Sequence, residues 1–167
     1  MDAEDRCVKE FFVHRCVFDS PIGALLIAAD DHGVCEIRLM KEDEALPAEE
    51  KNAPLLMHAV QELREYFTGE RRTFDLPLSR HGTAFEQSVW EALEAIPYGE
   101  TRSYGALAAQ MGKPKAARAV GRACARNPLL IIVPCHRVIA SSGALTGFAA
   151  GMEAKRLLLV LEGHKMK

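Results

Sequence analysis

Three short apolar runs set the pattern at the start of the chain. FFVHRCVF, GALLIAA and GVCEIRLM, residues 11–18, 23–29 and 33–40, are rich in β-branched, aromatic and aliphatic side chains. DSPIG and DDHG separate them and read as turns, so a small antiparallel sheet is predicted. KEDEALPAEEKNAP is charged and broken by proline and reads as a loop. In LLMHAVQELREYFTG, Leu56, Val60, Leu63 and Phe67 recur at helical spacing, and Gly69 marks the end. Residues 70–82 read as a link to the second half of the chain.

Beyond the link the period is helical. Thr83 with Glu86 three residues on spells a capping box. Phe85, Val89, Leu93 and Ile96 then form one stripe, with Trp90 beside it, and PYGE ends the helix. Ser103 is placed to cap a short helix, YGALAAQM. GKPK breaks the chain tightly, and Pro114 suits a first helical turn of KAARAVGRACARN. Two short helices joined by a glycine-containing turn resemble a helix-turn-helix. GMEAKRLLLVLEGH is a last helix ending at Gly163. The expected fold class is α+β. A small N-terminal α/β domain with an antiparallel sheet takes residues 1–80, and a mostly helical, winged-helix-like domain takes 81–167. There is no repeat or low-complexity segment.

A chain of 167 residues suffices for one good core or two small subdomains sharing an interface. Its 49% apolar and 26% charged residues place it among ordinary globular proteins. The start, MDAEDRCVKE, is acidic and unlike a signal peptide, and no apolar run approaches the ~20 residues of a membrane span. The cysteines (Cys7, Cys16, Cys35, Cys124, Cys135) are odd in number and lack a secreted-scaffold pattern. They read as thiols in a reducing compartment, hence an intracellular protein: cytoplasmic in a prokaryote, nuclear in a eukaryote.

Charge alters the picture most. The net charge is −2, yet the stretch 101–152 holds seven bases and no acid, which leaves 14 bases against 23 acids elsewhere. Either this is a helical region with solvated bases, or it is a surface for a polyanion such as nucleic acid. Lys115, Arg118, Arg122 and Arg126 fall on one helix face, and Ala116, Ala117, Ala119 and Gly121 keep the rest of that helix thin. A thin helix can approach a groove closely, and a single arginine from it can enter a base stack.

IIVPCHRVI, residues 131–139, carries the candidate chemistry. A buried run leads to Cys135, and His136 and Arg137 follow at once. A thiolate is a nucleophile, and a neighbouring base or cation favours it. Adjacent side chains diverge, so His136 is expected to reach Cys135 through a water or not at all. A third group should orient the histidine, and Glu162 is a candidate from far along the chain. Asn127, before Pro128, is placed to pin the loop. The other four cysteines read as small buried hydrophobes. Zinc on Cys7, His14, Cys16, His32 or Cys35 matches no tight ligand spacing. These residues leave open both a nucleic-acid enzyme with a nucleophilic cysteine and a cysteine hydrolase.

PCHRV, preceded by ARAVG and NP within the stretch 83–163 that also contains FEQSVWEALEAIPYGETRSYGALAAQMGKPKA, resembles the O6-alkylguanine-DNA alkyltransferases. DSPIGALLIAA and LREYFTGE resemble that family's N-terminal domain, so the likeness runs nearly the full length. The resemblance implies that Cys135 takes the alkyl group from O6 of a flipped guanine, in a single turnover, with O4-alkylthymine a further candidate. His136 would deprotonate the thiol through a water, Glu162 would hold the histidine, and Asn127 would be a hinge. Tyr104, the backbone of Val138, and Phe148 and Ala149 would bind the base. Arg118 would fill the vacated stack. Ala116, Ala117, Ala119 and Gly121 would lie in the minor groove, with Ser103 and Arg122 also on DNA. No metal or organic cofactor is implied. The partner would be double-stranded DNA carrying O6-alkylguanine, bound by a monomer away from any membrane. Relatives that only flag lesions carry tryptophan where this chain has Cys135. The family usually has tyrosine at Phe148 and paired glycines where this chain reads Ala150 and Gly151, which bears on the pocket.

Overall fold

The computed structural model describes residues 13–48 and 53–165. Cys7 and the first two residues of the expected first strand lie outside them. Strands β1 (His14–Ser20), β2 (Gly23–Asp30) and β3 (Gly33–Leu39) form an antiparallel sheet in the order β1-β2-β3, the predicted meander. Its second turn is closed by Asp30 Oδ1, which accepts from the backbone N–H of His32 (2.8 Å) and Gly33 (3.1 Å). Gly33 is required by contact: a Cβ there would lie 2.4 Å from the carbonyl oxygen of Pro77.

That contact belongs to a larger arrangement. The outer edge of β3 would expose unpaired backbone groups, a liability in any sheet. Two later segments cover it. Val34 exchanges hydrogen bonds with Pro77 and Ser79, both 2.9 Å. Ile37 does the same with Pro128 (2.8 Å) and Leu130 (3.0 Å). The sheet is thereby fastened to the loop that leads into Cys135.

Helix α1 (Pro54–Phe67) starts on proline and packs against the sheet, burying Leu56, Ala59, Leu63 and Tyr66. Helix α2 (Ala84–Glu94) has the predicted capping box, with Glu86 N donating to Thr83 Oγ1 and Thr83 N to Glu86 Oε2, both 3.1 Å. Trp90 Nε1 donates to the Ala123 carbonyl (3.0 Å), tying α2 to helix α4 (Ala117–Ala125). Between them lie the two-residue strand β4 (Arg102–Ser103) and helix α3 (Tyr104–Gln110). The hydroxyl of Ser103 accepts from Ala106 N (3.0 Å) and caps α3.

Helix α4 is shorter than the 115–127 expected. Lys113–Ala116 closes as a turn, through Ala116 N donating to the Lys113 carbonyl (2.9 Å). At the other end Asn127 precedes proline, which disfavours helical backbone there. α3 and α4 pack on each other, and α2 on α4. One turn of 3₁₀ helix (Cys135–Arg137) leads to strand β5 (Val138–Ile139), which pairs in parallel with β4. Helix α5 (Met152–Leu161) comes last, and Gly163 ends it with φ +87°. One apolar core runs from the sheet through α1, α2 and α4 to Leu158 of α5.

Candidate active site

The run Leu129–Val133 is wholly buried, and its backbone is kinked rather than extended. Ile131, a β-branched residue, has φ +73°, an unfavourable left-handed conformation. Val133 N donates back to the Leu129 carbonyl (2.9 Å), and Cys135 N to that of Val133 (2.8 Å). Asn127 holds this loop from outside. Its Oδ1 accepts from Leu129 N (2.9 Å), and its Nδ2 donates to the Val133 carbonyl (2.7 Å) and to Cys135 Sγ (3.2 Å).

Cys135, His136 and Arg137 share one 3₁₀ turn, so their side chains leave the axis about 120° apart. Cys135 faces a cavity. His136 and Arg137 point to Glu162, the C-cap of α5. His136 Nε2 lies 2.6 Å from Glu162 Oε2. Arg137 Nε donates to Oε1 (2.7 Å), its Nη2 reaches Oε2 (3.2 Å), and its Nη1 donates to the Ile96 carbonyl (2.7 Å). Tyr66 OH donates to Glu162 Oε2 as well (2.7 Å). All four side chains are buried.

The protonation states are set by these contacts. Burial alone would raise the Glu162 carboxyl, but the hydrogen bonds from His136 and Arg137 hold it at about 2. Burial lowers the pKa of His136, and Arg137 already supplies the cation to Glu162, so the imidazole is neutral. Nε2 then carries the hydrogen donated to Glu162, and Nδ1 keeps the lone pair. Nδ1 is buried and has no hydrogen-bond partner among the described residues. The resting thiol is protonated: burial pushes Cys135 up, and Asn127 and Lys155 offset this only in part. The arrangement is therefore a thiol beside a neutral base, and not the thiolate stabilised by adjacent cations that the row Cys-His-Arg suggests.

The cavity holds about 390 Å³ and is lined by Tyr104, Gly121, Cys124 and Ala125 on one side and by Thr146, Gly147, Phe148 and Ala149 on the other, with Cys135 in its wall. Tyr104 OH donates to the Thr146 carbonyl at 3.4 Å and spans the two sides. Gly121 faces that ring, and a Cβ there would meet it at 3.9 Å, an ordinary van der Waals contact. Phe148 packs edge-on to His136, with ring centroids 6.5 Å apart. Val138, expected at the pocket through its backbone, is not among the lining residues. It is buried in β5, and its carbonyl accepts from Lys155 Nζ at 2.6 Å.

The basic surface is smaller than the count of seven implies. Arg137 is buried on Glu162, Arg126 pairs with Glu86 (2.9 Å) and Arg102 with Glu100 (2.8 Å). Arg118 and Arg122 on α4, and Lys113 and Lys115 before it, are exposed. Ala116, at the N-cap, and Ala117 and Ala119 are partly exposed on the same helix. Ser103 is engaged as the cap of α3. Among the described residues no three His, Cys, Asp or Glu side chains gather as a metal site, and His14, Cys16, His32 and Cys35 form none.

Two contributors escape a reading of the sequence. Tyr66 reaches Glu162 across 96 positions. Lys155 is fully buried, and its ammonium donates to the carbonyls of Val138 and Thr146 (2.9 Å for the latter), fixing the loop that carries Phe148. A lysine in an otherwise apolar helical stripe was the available signal for the second.

Residues 13–80 match the ribonuclease-like domain of 6-O-methylguanine DNA methyltransferase, and residues 84–164 match the DNA binding domain of the same enzyme. The chain belongs to the 6-O-methylguanine DNA methyltransferase family. It is 47% identical over 154 residues to a methylated-DNA–protein-cysteine methyltransferase of Methanosarcina acetivorans, covering 90% of this chain and 99% of that protein. It is 50% identical over 151 residues to the constitutive enzyme of Bacillus subtilis, covering 86% of this chain and 92% of that one. The crystal structure of the Mycobacterium tuberculosis family member OGT in complex with DNA superposes with a TM-score of 0.81 at 47% identity, covering 89% of this chain and 92% of that one. The family likeness thus spans both the sheet and the helical half.

Proposed function

We propose that this protein reverses alkylation damage by moving the alkyl group from O6 of guanine in duplex DNA to Cys135, once per molecule. The observation that carries the reading is the position of Cys135: it lines the 390 Å³ cavity together with Gly121, Cys124 and Ala125 of α4, and the neutral His136 that follows it is held by its carboxylate partner Glu162. A base inside a duplex hides its O6 substituent, so the nucleotide must flip out, at a cost of a few kcal/mol. Arg118, exposed on the first turn of α4, fills the space left in the stack. Ala116, Ala117, Ala119 and Gly121 let α4 sit in the minor groove, with Arg122 on phosphate, in helix-turn-helix fashion. Ser103 assists indirectly by capping α3, which carries Tyr104.

In the cavity Tyr104, Phe148 and Ala149 hold the base. His136 Nδ1 takes the thiol proton through a bridging water, and Glu162 keeps the ring in the tautomer that leaves Nδ1 free. The S–C bond then forms as the O6–C bond breaks, the electron pair returns to the guanine, and the guanine anion takes up a proton in place of the one His136 received from the thiol. The product is a thioether with no carbonyl for water to attack, so the protein is spent. Thiol and alkylated base suffice for this chemistry. Relative to the family pattern, Phe148 removes a hydroxyl from the cavity lining, whereas the methyl of Ala150 lies outside that lining.

Intact-protein mass spectrometry after incubation with a duplex bearing one O6-methylguanine tests this. The expected gain is one methylene, about 14 Da, on the peptide containing Cys135, saturating at one per protein. Tight binding with no mass change would replace transfer by lesion recognition. Neither binding nor gain would return the hydrolase reading. Sedimentation of the free protein and of the duplex complex tests the proposed monomer.

A further inference from the structure

We infer that Tyr66, from the half of the chain that carries no part of the thiol site, is a positioning residue for transfer that sets how strongly Glu162 holds His136. The inference rests on the alkyl-transfer reading, and its support is geometric. Glu162 Oε2 is the oxygen that meets His136 Nε2 (2.6 Å), and the same oxygen accepts from Tyr66 OH (2.7 Å). With the longer contact from Arg137 Nη2 (3.2 Å), three donors share this oxygen, and each weakens what the others can draw from it.

The tyrosine is held for this contact. It is fully buried at the end of α1, with its ring edge-on to Phe67 and to Tyr98 (centroids 5.4 and 6.3 Å). Tyr98 in turn has the guanidinium groups of Arg72 (5.2 Å) and Arg137 (5.8 Å) over its ring and donates to the Leu161 carbonyl (3.1 Å), next to Glu162. Burial, and then the charge of Glu162, keep the Tyr66 hydroxyl protonated, so it is a permanent donor. Without it, Glu162 concentrates its charge on His136, the imidazolium is stabilised, and a base meant to be neutral becomes easier to protonate. The other charged and titratable groups bearing on His136 are Arg137 and Cys135 on its own turn and Lys155 on α5, and the substitution leaves all three in place.

The test is Tyr66→Phe, which keeps the ring packing. Two readouts are taken: the His136 Nε2–H proton resonance of the DNA-free protein, and the pH profile of single-turnover transfer from an O6-methylguanine duplex. The resonance should move downfield, and the acidic limb of the profile should move up by about one pH unit, the scale of one charge-assisted hydrogen bond. In a Glu162→Gln background the same substitution should have no further effect on the limb. Site-specific 3-fluorotyrosine at position 66, a stronger donor of nearly the same shape, should move both readouts the opposite way, and it decides the matter if the phenylalanine variant fails to fold. A folded variant in which the resonance stays put overturns the inference, whatever the activity. A wild-type protein that transfers no alkyl group at any pH overturns the proposed function instead, since the resonance is read without DNA.

Discussion

Asn127 and Cys135 are joined by a 3.2 Å contact from amide to sulfur, and the same amide nitrogen donates to the Val133 carbonyl at 2.7 Å. One side chain thus holds both the thiol and the strained loop around Ile131 that delivers it. Asn127→Ala should lower stability by about 2–3 kcal/mol, because the Val133 carbonyl and Leu129 N–H lose their partners in a buried loop. It should also slow transfer, since burial already holds the thiol pKa up and the amide no longer offsets it. Urea denaturation and single-turnover rates measure the two effects separately. A variant as stable as the parent would show that the loop holds itself.

Lys155 anchors the opposite wall of the cavity. Lys155→Met keeps the length and removes the ammonium, leaving the carbonyls of Val138 and Thr146 without their donor. The expected loss of stability is about 2 kcal/mol, moderated because a buried cation disappears as well. The loop bearing Phe148 should loosen, and transfer should fall at least about tenfold through misplacement of the base. Hydrogen exchange across 140–150 reports the first change and alkyl transfer the second. A loop equally protected in the variant would place its order elsewhere.

The local signals in the sequence translated well because they depend on neighbours. The Thr83–Glu86 box, the Ser103 cap and the Gly163 stop each concern residues within four positions. The covered edge of β3 and the Tyr66–Glu162 bond depend on chain segments tens of residues apart, and the buried Lys155 on carbonyls 9 and 17 positions away, so no periodicity encodes them. Glu162 was within reach only by the logic that a histidine base needs an orienting carboxylate. Arg137 was misplaced among surface charges because counting bases ignores burial, and here a buried carboxylate claims it.

Stability should fall in two steps on acidification. His136 has a folded pKa below its ordinary 6.5, so the unfolded chain binds the proton more readily, and stability is lost as pH drops below 6.5. Glu162 has a folded pKa of about 2 against 4.5, so its contribution is complete above 4.5 and disappears as pH falls toward 2. After allowance for solvent screening the second step is of the order of 2 kcal/mol. Denaturant midpoints measured between pH 8 and pH 3 track both. In Glu162→Gln the fall below pH 4.5 should flatten, and an unchanged slope there would assign the acid sensitivity to other carboxylates.

Arg118 and Arg122 offer the sharpest separation of roles on α4. Both are exposed, so replacing either with alanine should leave thermal stability within about 0.5 kcal/mol of the parent. Their effects on DNA should differ in kind. Arg122→Ala removes the proposed phosphate contact, which should reduce the slope of log affinity against log salt by about 0.9 while sparing transfer at saturating duplex. Arg118→Ala removes the side chain proposed to fill the flipped stack, so saturated transfer should fall by about tenfold or more with a smaller change in slope. A fluorescent base analogue opposite the lesion reads flipping directly in both variants. If Arg118→Ala alters only the salt slope and flips the base normally, Arg118 is a phosphate ligand and another group fills the stack.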